Sequence, residues 1–136
     1  MQLLKRVLLF KITVTVFAWV LPFLFFPKDW IQLFLGFSPE PLFPIRLLGW
    51  SCLALVVGYA FGYVQASKGV APWGVVLMGL VSNGGAAFIV GWNLLFGEAS
   101  DLTGIPLLLI WGSFAALLAI TLGLFHATMQ LKASRK

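Results

Sequence analysis

Polar side chains at the ends of two long apolar runs suggest a binding site or an ion pair. Arg46 begins the second run, Asn93 ends the third, and the acidic residues Glu98 and Asp101 follow Asn93. If these two runs are antiparallel membrane helices, Arg46 and Glu98 lie at the same depth. One interpretation is an ion pair at the membrane edge that fixes the helices. The other is a polar mouth over an apolar cleft that holds the head group of a lipid or quinone.

A second candidate, Asn83, lies in the middle of the third run, beside Gly84 and Gly85. An unpaired amide is costly in the membrane interior, so the sequence predicts that Asn83 forms a hydrogen bond across helices. The neighbouring glycines also permit local unwinding, which some transporters use at mid-membrane sites. Structural and ligand-binding roles both remain open for Asn83.

The single histidine, His126, falls near the end of the fourth apolar run. Here it can bind water, a carbonyl group or a lipid phosphate. It can also ligate the metal of a haem or a chlorophyll-type pigment. Both interpretations remain open.

Motifs of soluble enzymes are missing from the sequence. It has no phosphate-binding loop, no Gly-x-Ser-x-Gly, and no pair of His or Cys at metal-ligand spacing. The histidine and the four acids are expected on opposite sides of the membrane, which disfavours hydrolytic chemistry. We therefore predict a protein that is not an enzyme and that binds no metal or cofactor, unless His126 ligates a haem or a pigment.

The elements that must position these residues are membrane helices. The 136 residues are 61% hydrophobic and 10% charged, with a mean hydropathy of +1.03. Soluble domains have about 45–50% apolar and about 25% charged residues. Such a chain would aggregate in water, so the composition predicts an integral membrane protein.

Hydropathy divides the chain into four spans within a single membrane domain, residues 1–136. The expected spans are at about residues 7–26, 45–66, 73–96 and 105–129. The first run ends in bulky residues rather than at a small-residue cleavage site, so we expect it to be retained. Residues 29–37 predict a short amphipathic helix in the interface. The expected fold is an all-α bundle of four transmembrane helices, with this interfacial helix between spans one and two.

Small residues recur every four positions in the second span. Ala54, Gly58, Gly62 and Ala66 are predicted to share one helix face, where a second backbone can approach closely. We therefore expect the second span to be the packing centre of the bundle.

Charge asymmetry predicts the orientation. Seven of the nine basic residues are at the N-terminus, in the second loop or in the tail: Lys5, Arg6, Lys11, Lys68, Lys132, Arg135 and Lys136. All four acids fall on the other side. The positive-inside rule then places both termini in the cytoplasm, with a bacterial inner membrane as the expected location. The net charge of +5 is explained by topology and by attraction to anionic lipid, so no nucleic-acid partner is expected.

A resemblance covers the four-span topology and about 20 residues around Arg46. The segment Pro44-Ile45-Arg46-Leu47-Leu48-Gly49, followed by an apolar run with Gly58-Tyr59, resembles small four-helix bacterial inner-membrane proteins. These include DoxX-like proteins and several families of unknown function. The resemblance implies the four-helix topology and assigns no functional residue.

Two main functional hypotheses follow. The abundance of small-residue faces favours a non-enzymatic accessory subunit, packed against other membrane subunits or against copies of itself. The alternative is a binder or carrier of a small hydrophobic molecule, a lipid or a quinone, with Arg46, Asn83, Asn93 and Glu98 as candidate ligand-binding residues. A third hypothesis is a haem or pigment protein that uses His126.

Overall fold

The computed structural model describes residues 1–97 and 102–133. Of these residues, 86% are helical and none is in a strand, so the fold is all-α. Span one comprises α1 (Gln2–Thr15), a π-helical turn (Val16–Val20) and α2 (Leu21–Phe25). A short helix, α3, follows at Lys28–Leu35. Spans two to four are α4 (Phe43–Ser67), α5 (Trp73–Phe96) and α6 (Gly104–Ala133). Among the described residues, four helical segments are long and apolar enough to cross a membrane, which confirms the predicted fold class.

Span one changes its helical geometry before Pro22. A proline has no backbone N–H to donate, and its ring crowds the preceding turn. The π-helical turn Val16–Val20 lies immediately before α2, and π turns often accommodate such a local mismatch. The helix ends where Phe26 becomes extended and Pro27 follows. The outer half of span one therefore departs from the regular α-helix of α1 through this π-helical turn.

Span one lies between α4 and α6, and α5 packs mainly on α6. We call the end of the bundle where span one begins and α6 ends the inner end, and the opposite end the outer end. The sequence predicted α4 as the packing centre, but span one contacts more of the bundle than α4 does. The helices α4 and α5 meet where Gly62 faces Val75 in the first turn of α5 and Tyr59 binds Asn83 near its middle.

The four-residue ladder of α4 is only partly inside the bundle. Gly62 and Ala66 are buried, Gly58 is half-buried and Ala54 is exposed. A Cβ atom added to Gly62 would lie 2.7 Å from Cγ1 of Val75, so α4 and α5 approach closely there. A step of four residues turns about 400°, so each step drifts about 40° around the helix. A strict four-residue ladder therefore cannot stay on one face over three steps.

The short helix α3 covers the outer end of the bundle beside α6. Ile31 is buried, whereas Trp30 and Leu33 are exposed. Gly36, in the left-handed conformation at φ 81°, ends the helix, two residues before the end predicted from the pattern. A Cβ atom on Gly36 would lie 3.0 Å from Cγ of Pro106, which shows how closely this turn packs on the start of α6.

Candidate functional site

A half-enclosed apolar cavity of about 420 Å³ lies in the outer half of the bundle. We call it the outer cavity. It is lined by residues of span one, α3 and its C-terminal turn, α5, the segment before α6, and the first third of α6: Ala18, Trp19, Pro22, Phe23, Phe34, Leu35, Phe37, Asn93, Leu102, Leu109, Ile110 and Ser113. Its volume falls within the range of about 300–1,000 Å³ that is typical of small-molecule sites. Two of its aromatic rings, Trp19 and Phe23, pack edge to face at 5.4 Å between centroids.

A second cavity of about 270 Å³, the inner cavity, continues along the seam between span one and α6. Ala18, Trp19, Leu109 and Ser113 line both cavities. Two of these shared residues, Ala18 and Ser113, are small, so the seam stays open where larger side chains would fill it. A ligand in the outer cavity can therefore extend toward the inner end of the bundle.

Lys11 supplies the only cationic side chain among the residues that line these two cavities. It lies about 14 Å along the helix from Gln2, and its Nζ is 5.8 Å from the ring centroid of Tyr59, a cation–π contact. In the described parts of the chain, the one ion pair is between Lys28 and Glu40, so no carboxylate there pairs with Lys11. An ionisable residue inside a span is by default a candidate for function.

A buried polar network joins α4 and α5 at Tyr59, the residue that Lys11 contacts. Asn83 donates to the hydroxyl of Tyr59 at 3.1 Å and to the carbonyl of Gly79 at 2.7 Å, and Ser82 Oγ lies 3.1 Å from the Tyr59 hydroxyl. Asn83 thus forms the predicted hydrogen bond across helices. Helix α5 continues unbroken through Gly84 and Gly85, so no local unwinding is present. The oxygen Oδ1 of Asn83 is buried without a protein partner.

Arg46 binds the end of span one. Its two terminal nitrogens donate to the carbonyls of Phe23 and Phe26, each at 2.7 Å. Backbone carbonyls at a helix C-terminus lack intrahelical partners and carry partial negative charge, so a guanidinium fits them well. Close approach of α4 assists this contact, because a Cβ atom on Gly49 would lie 2.9 Å from Cβ of Phe23. The predicted partner Glu98 lies outside the described residues.

The two remaining candidates lie far apart in the structure. Asn93 lines the outer cavity and donates to the carbonyl of Ile89 at 3.0 Å. His126 is exposed on α6, with its Nε2 3.2 Å from Nε2 of Gln130. Among the described residues, no group of three or more His, Cys, Asp or Glu side chains could hold a metal ion.

Sequence reasoning missed Lys11 and Tyr59 as site residues. From the sequence, Lys11 was placed among the basic residues of the N-terminal side. Helix α1 begins at Gln2 rather than near residue 7, so Lys11 lies deeper in the helix than expected, beside Tyr59. The charge within an apolar run was the signal that could have identified it. Nothing in the sequence identified Tyr59 as its neighbour.

Comparisons with models of protein families, with curated proteins and with solved structures give no match. The resemblance to DoxX-like proteins therefore stays a prediction.

Proposed function

We propose that this protein is a non-enzymatic binder or carrier of a small hydrophobic molecule, which it holds in the outer cavity. The observation that carries the proposal is the cavity itself, about 420 Å³ in volume and lined mainly by aromatic and aliphatic side chains. Ligand sites combine such an apolar lining with a few polar groups that orient the ligand. Asn93 and Ser113 provide polar groups here, and Lys11 provides a charge in the adjoining inner cavity.

The role of Arg46 in this proposal is to shape the site. Its two terminal nitrogens donate to the carbonyls of Phe23, which lines the cavity, and of Phe26. Arg46 thereby holds the outer wall of the cavity in place. Of the candidate polar mouth, Asn93 lines the outer cavity, and Glu98 and Asp101 lie outside the described residues.

The test fills the cavity and compares bound ligand. Ser113→Phe places a ring at the junction of the two cavities, because Ser113 lines both. Ala115→Phe is the matched control, because Ala115 is an exposed small residue on the same helix and lines neither cavity. Each protein is extracted in a mild detergent, and native mass spectrometry measures any co-purified small molecule.

We expect wild type and Ala115→Phe to carry the same hydrophobic molecule at near-stoichiometric amounts, and Ser113→Phe to lose it. The secondary structure of each variant, measured by circular dichroism, shows whether the bundle remains folded. Equal ligand in all three folded proteins, or no bound molecule in wild type, would contradict the proposal.

A second candidate is an accessory subunit that packs in a larger assembly or a homo-oligomer. Its support is the open face of α5 at Gly74 and Gly85, where an added Cβ atom would meet nothing within 4 Å. These positions are 11 residues apart and therefore share a helix face. Glycines on an open face permit close approach of another membrane helix. In this case wild type purifies with other subunits or as an oligomer, and Gly85→Leu releases the partner.

We also propose an orientation with both termini in the cytoplasm, in a bacterial inner membrane, with membrane lipids as neighbours. The support is the distribution of basic residues. In a cysteine-free background, a cysteine at Ser38 should react with an impermeant thiol reagent from outside intact cells. A cysteine at Ser67 should react only after lysis. Labelling of the Ser67 position in intact cells would contradict the proposed orientation.

A further inference from the structure

The ammonium of Lys11 has no acidic partner in residues 1–97 and 102–133. Of the two acids described, Glu40 pairs with Lys28, and Asp29 lines a separate opening between α3 and the start of α6. The ring of Tyr59 attracts the cation but leaves its charge without a counter-ion. A charge held within a membrane span is costly unless an opposite charge or a water-filled space accompanies it.

Lys11 also lines the inner cavity, which adjoins the outer cavity along the seam between span one and α6. Along span one, Lys11 and the outer-cavity residue Pro22 are about 16 Å apart. A long alkyl chain can cover that distance. The path therefore has a cation at its inner end and a mainly apolar lining beyond it, in which Ser113 and Asn93 are the polar side chains.

We propose that Lys11 binds the anionic head group of a single-chain amphiphile whose alkyl chain occupies the outer cavity. This inference rests on the proposed function and specifies its ligand. The head group, a carboxylate or a phosphate, accepts hydrogen bonds from Lys11 Nζ near the middle of span one. The chain runs outward past Trp19 toward Phe23 and Phe34, so the ligand lies with its polar end buried deeper than its tail.

Charge complementarity selects this ligand over others of similar size. A cationic head group would be repelled by Lys11, and a neutral alcohol would leave the ammonium without a counter-charge. A cavity of about 420 Å³ that continues into one of about 270 Å³ suits one chain better than the two chains of a phospholipid.

The experiment compares radiolabelled hexadecanoate, hexadecyl phosphate and hexadecanol, which share one chain and differ in the head group. Binding is measured on the whole protein in lipid nanodiscs, with Ser113→Phe as the correction for partition into the bilayer. Wild type should bind at least one of the anions about 10- to 100-fold more tightly than the alcohol, the range for a hydrogen bond to a charged group. The preferred anion distinguishes a fatty acid from an alkyl phosphate.

Three variants locate the charge that is responsible. Lys11→Met should bind hexadecanol as wild type does and lose the preference for the anion. Lys11→Arg should keep the preference, because it keeps the charge. Lys68→Met, which removes an exposed cation from the loop between α4 and α5, should behave as wild type.

The outcomes separate the two proposals. Equal binding of anion and alcohol by wild type would overturn the head-group assignment and leave the proposed function intact. A preference that survives in Lys11→Met would also overturn the assignment, because the anion would then bind elsewhere. Equal binding of all three probes to wild type and Ser113→Phe would show no cavity-dependent binding and contradict both proposals.

Discussion

Replacing Arg46 by methionine should destabilise the outer end of the bundle more than replacing any other Lys or Arg in residues 1–97 and 102–131. The side chain donates two hydrogen bonds of 2.7 Å, to the carbonyls of Phe23 and Phe26. A hydrogen bond to a charged group contributes about 1.5–3 kcal/mol. Arg46 is partly exposed, so water at the membrane edge can replace part of this interaction. We therefore expect Arg46→Met to lower the free energy of unfolding by about 2–3 kcal/mol.

The assay is reversible unfolding in mixed micelles, with hydrogen exchange read separately for each segment. Exchange should rise first in α2 and α3, since Arg46 ties the end of span one to α4. Arg46→Lys should restore less than half of the loss, because an ammonium does not reproduce the planar fork that reaches both carbonyls.

The control is Lys28→Met, which removes an exposed cation paired with Glu40. Exposed ion pairs contribute about 0–1 kcal/mol, so this variant should remain close to wild type. If Arg46→Met is as stable as Lys28→Met, or if Arg46→Lys is as stable as wild type, the two-carbonyl contact does not stabilise the fold in the way described.

Two further predictions concern the interface between α4 and α5. Gly62→Ala should lower the free energy of unfolding by about 1–3 kcal/mol, because the added Cβ would lie 2.7 Å from Cγ1 of Val75. The control Gly85→Ala should be neutral or stabilising by up to about 1 kcal/mol. Equal unfolding free energies for the two variants would show that α4 and α5 are not in contact at Gly62. Tyr59→Phe should cost about 1 kcal/mol, because it removes the acceptor of the Asn83 hydrogen bond without leaving a cavity, and an unchanged unfolding free energy would show that this bond adds nothing.

The number and type of the helices could be predicted from the sequence. Four apolar runs of spanning length, separated by proline- and glycine-containing turns, leave few alternatives in a membrane. The amphipathic pattern after span one likewise predicted α3. Its end was misplaced because Gly36 takes a left-handed conformation there, and a helix pattern that includes Phe37 does not show this.

The helix neighbours could not be predicted, because they depend on contacts between residues far apart in the chain. Arg46 was paired with Glu98 from their expected depths alone. In the structure Arg46 reaches the end of span one, at a place set by the break before Pro27 and by the close approach at Gly49. Local sequence contains the break and the glycine, but not which helix lies beside them.

Of the candidate site residues that the structure describes, Asn93 lines the outer cavity, whereas Arg46, Asn83 and His126 lie elsewhere in the bundle. Asn83 was expected to bind across helices, and it does so through Tyr59. The cavities were not foreseen, because they arise where Ala18 and Ser113 come together on helices from opposite ends of the chain. Lys11 became a candidate because it lines the inner cavity, although its charge within an apolar run was already a signal in the sequence.

The most direct test of the central claim, that an apolar chain occupies the outer cavity, is photo-crosslinking with a hexadecanoate that carries a diazirine in mid-chain. The protein in nanodiscs is irradiated with and without excess unlabelled hexadecanoate, and the labelled peptides are sequenced. The account predicts saturable labelling confined to Ala18–Phe23 and Leu109–Ser113, which competitor removes. Labelling spread over exposed, membrane-facing residues such as Leu77 and Phe88, and insensitive to competitor, would contradict it.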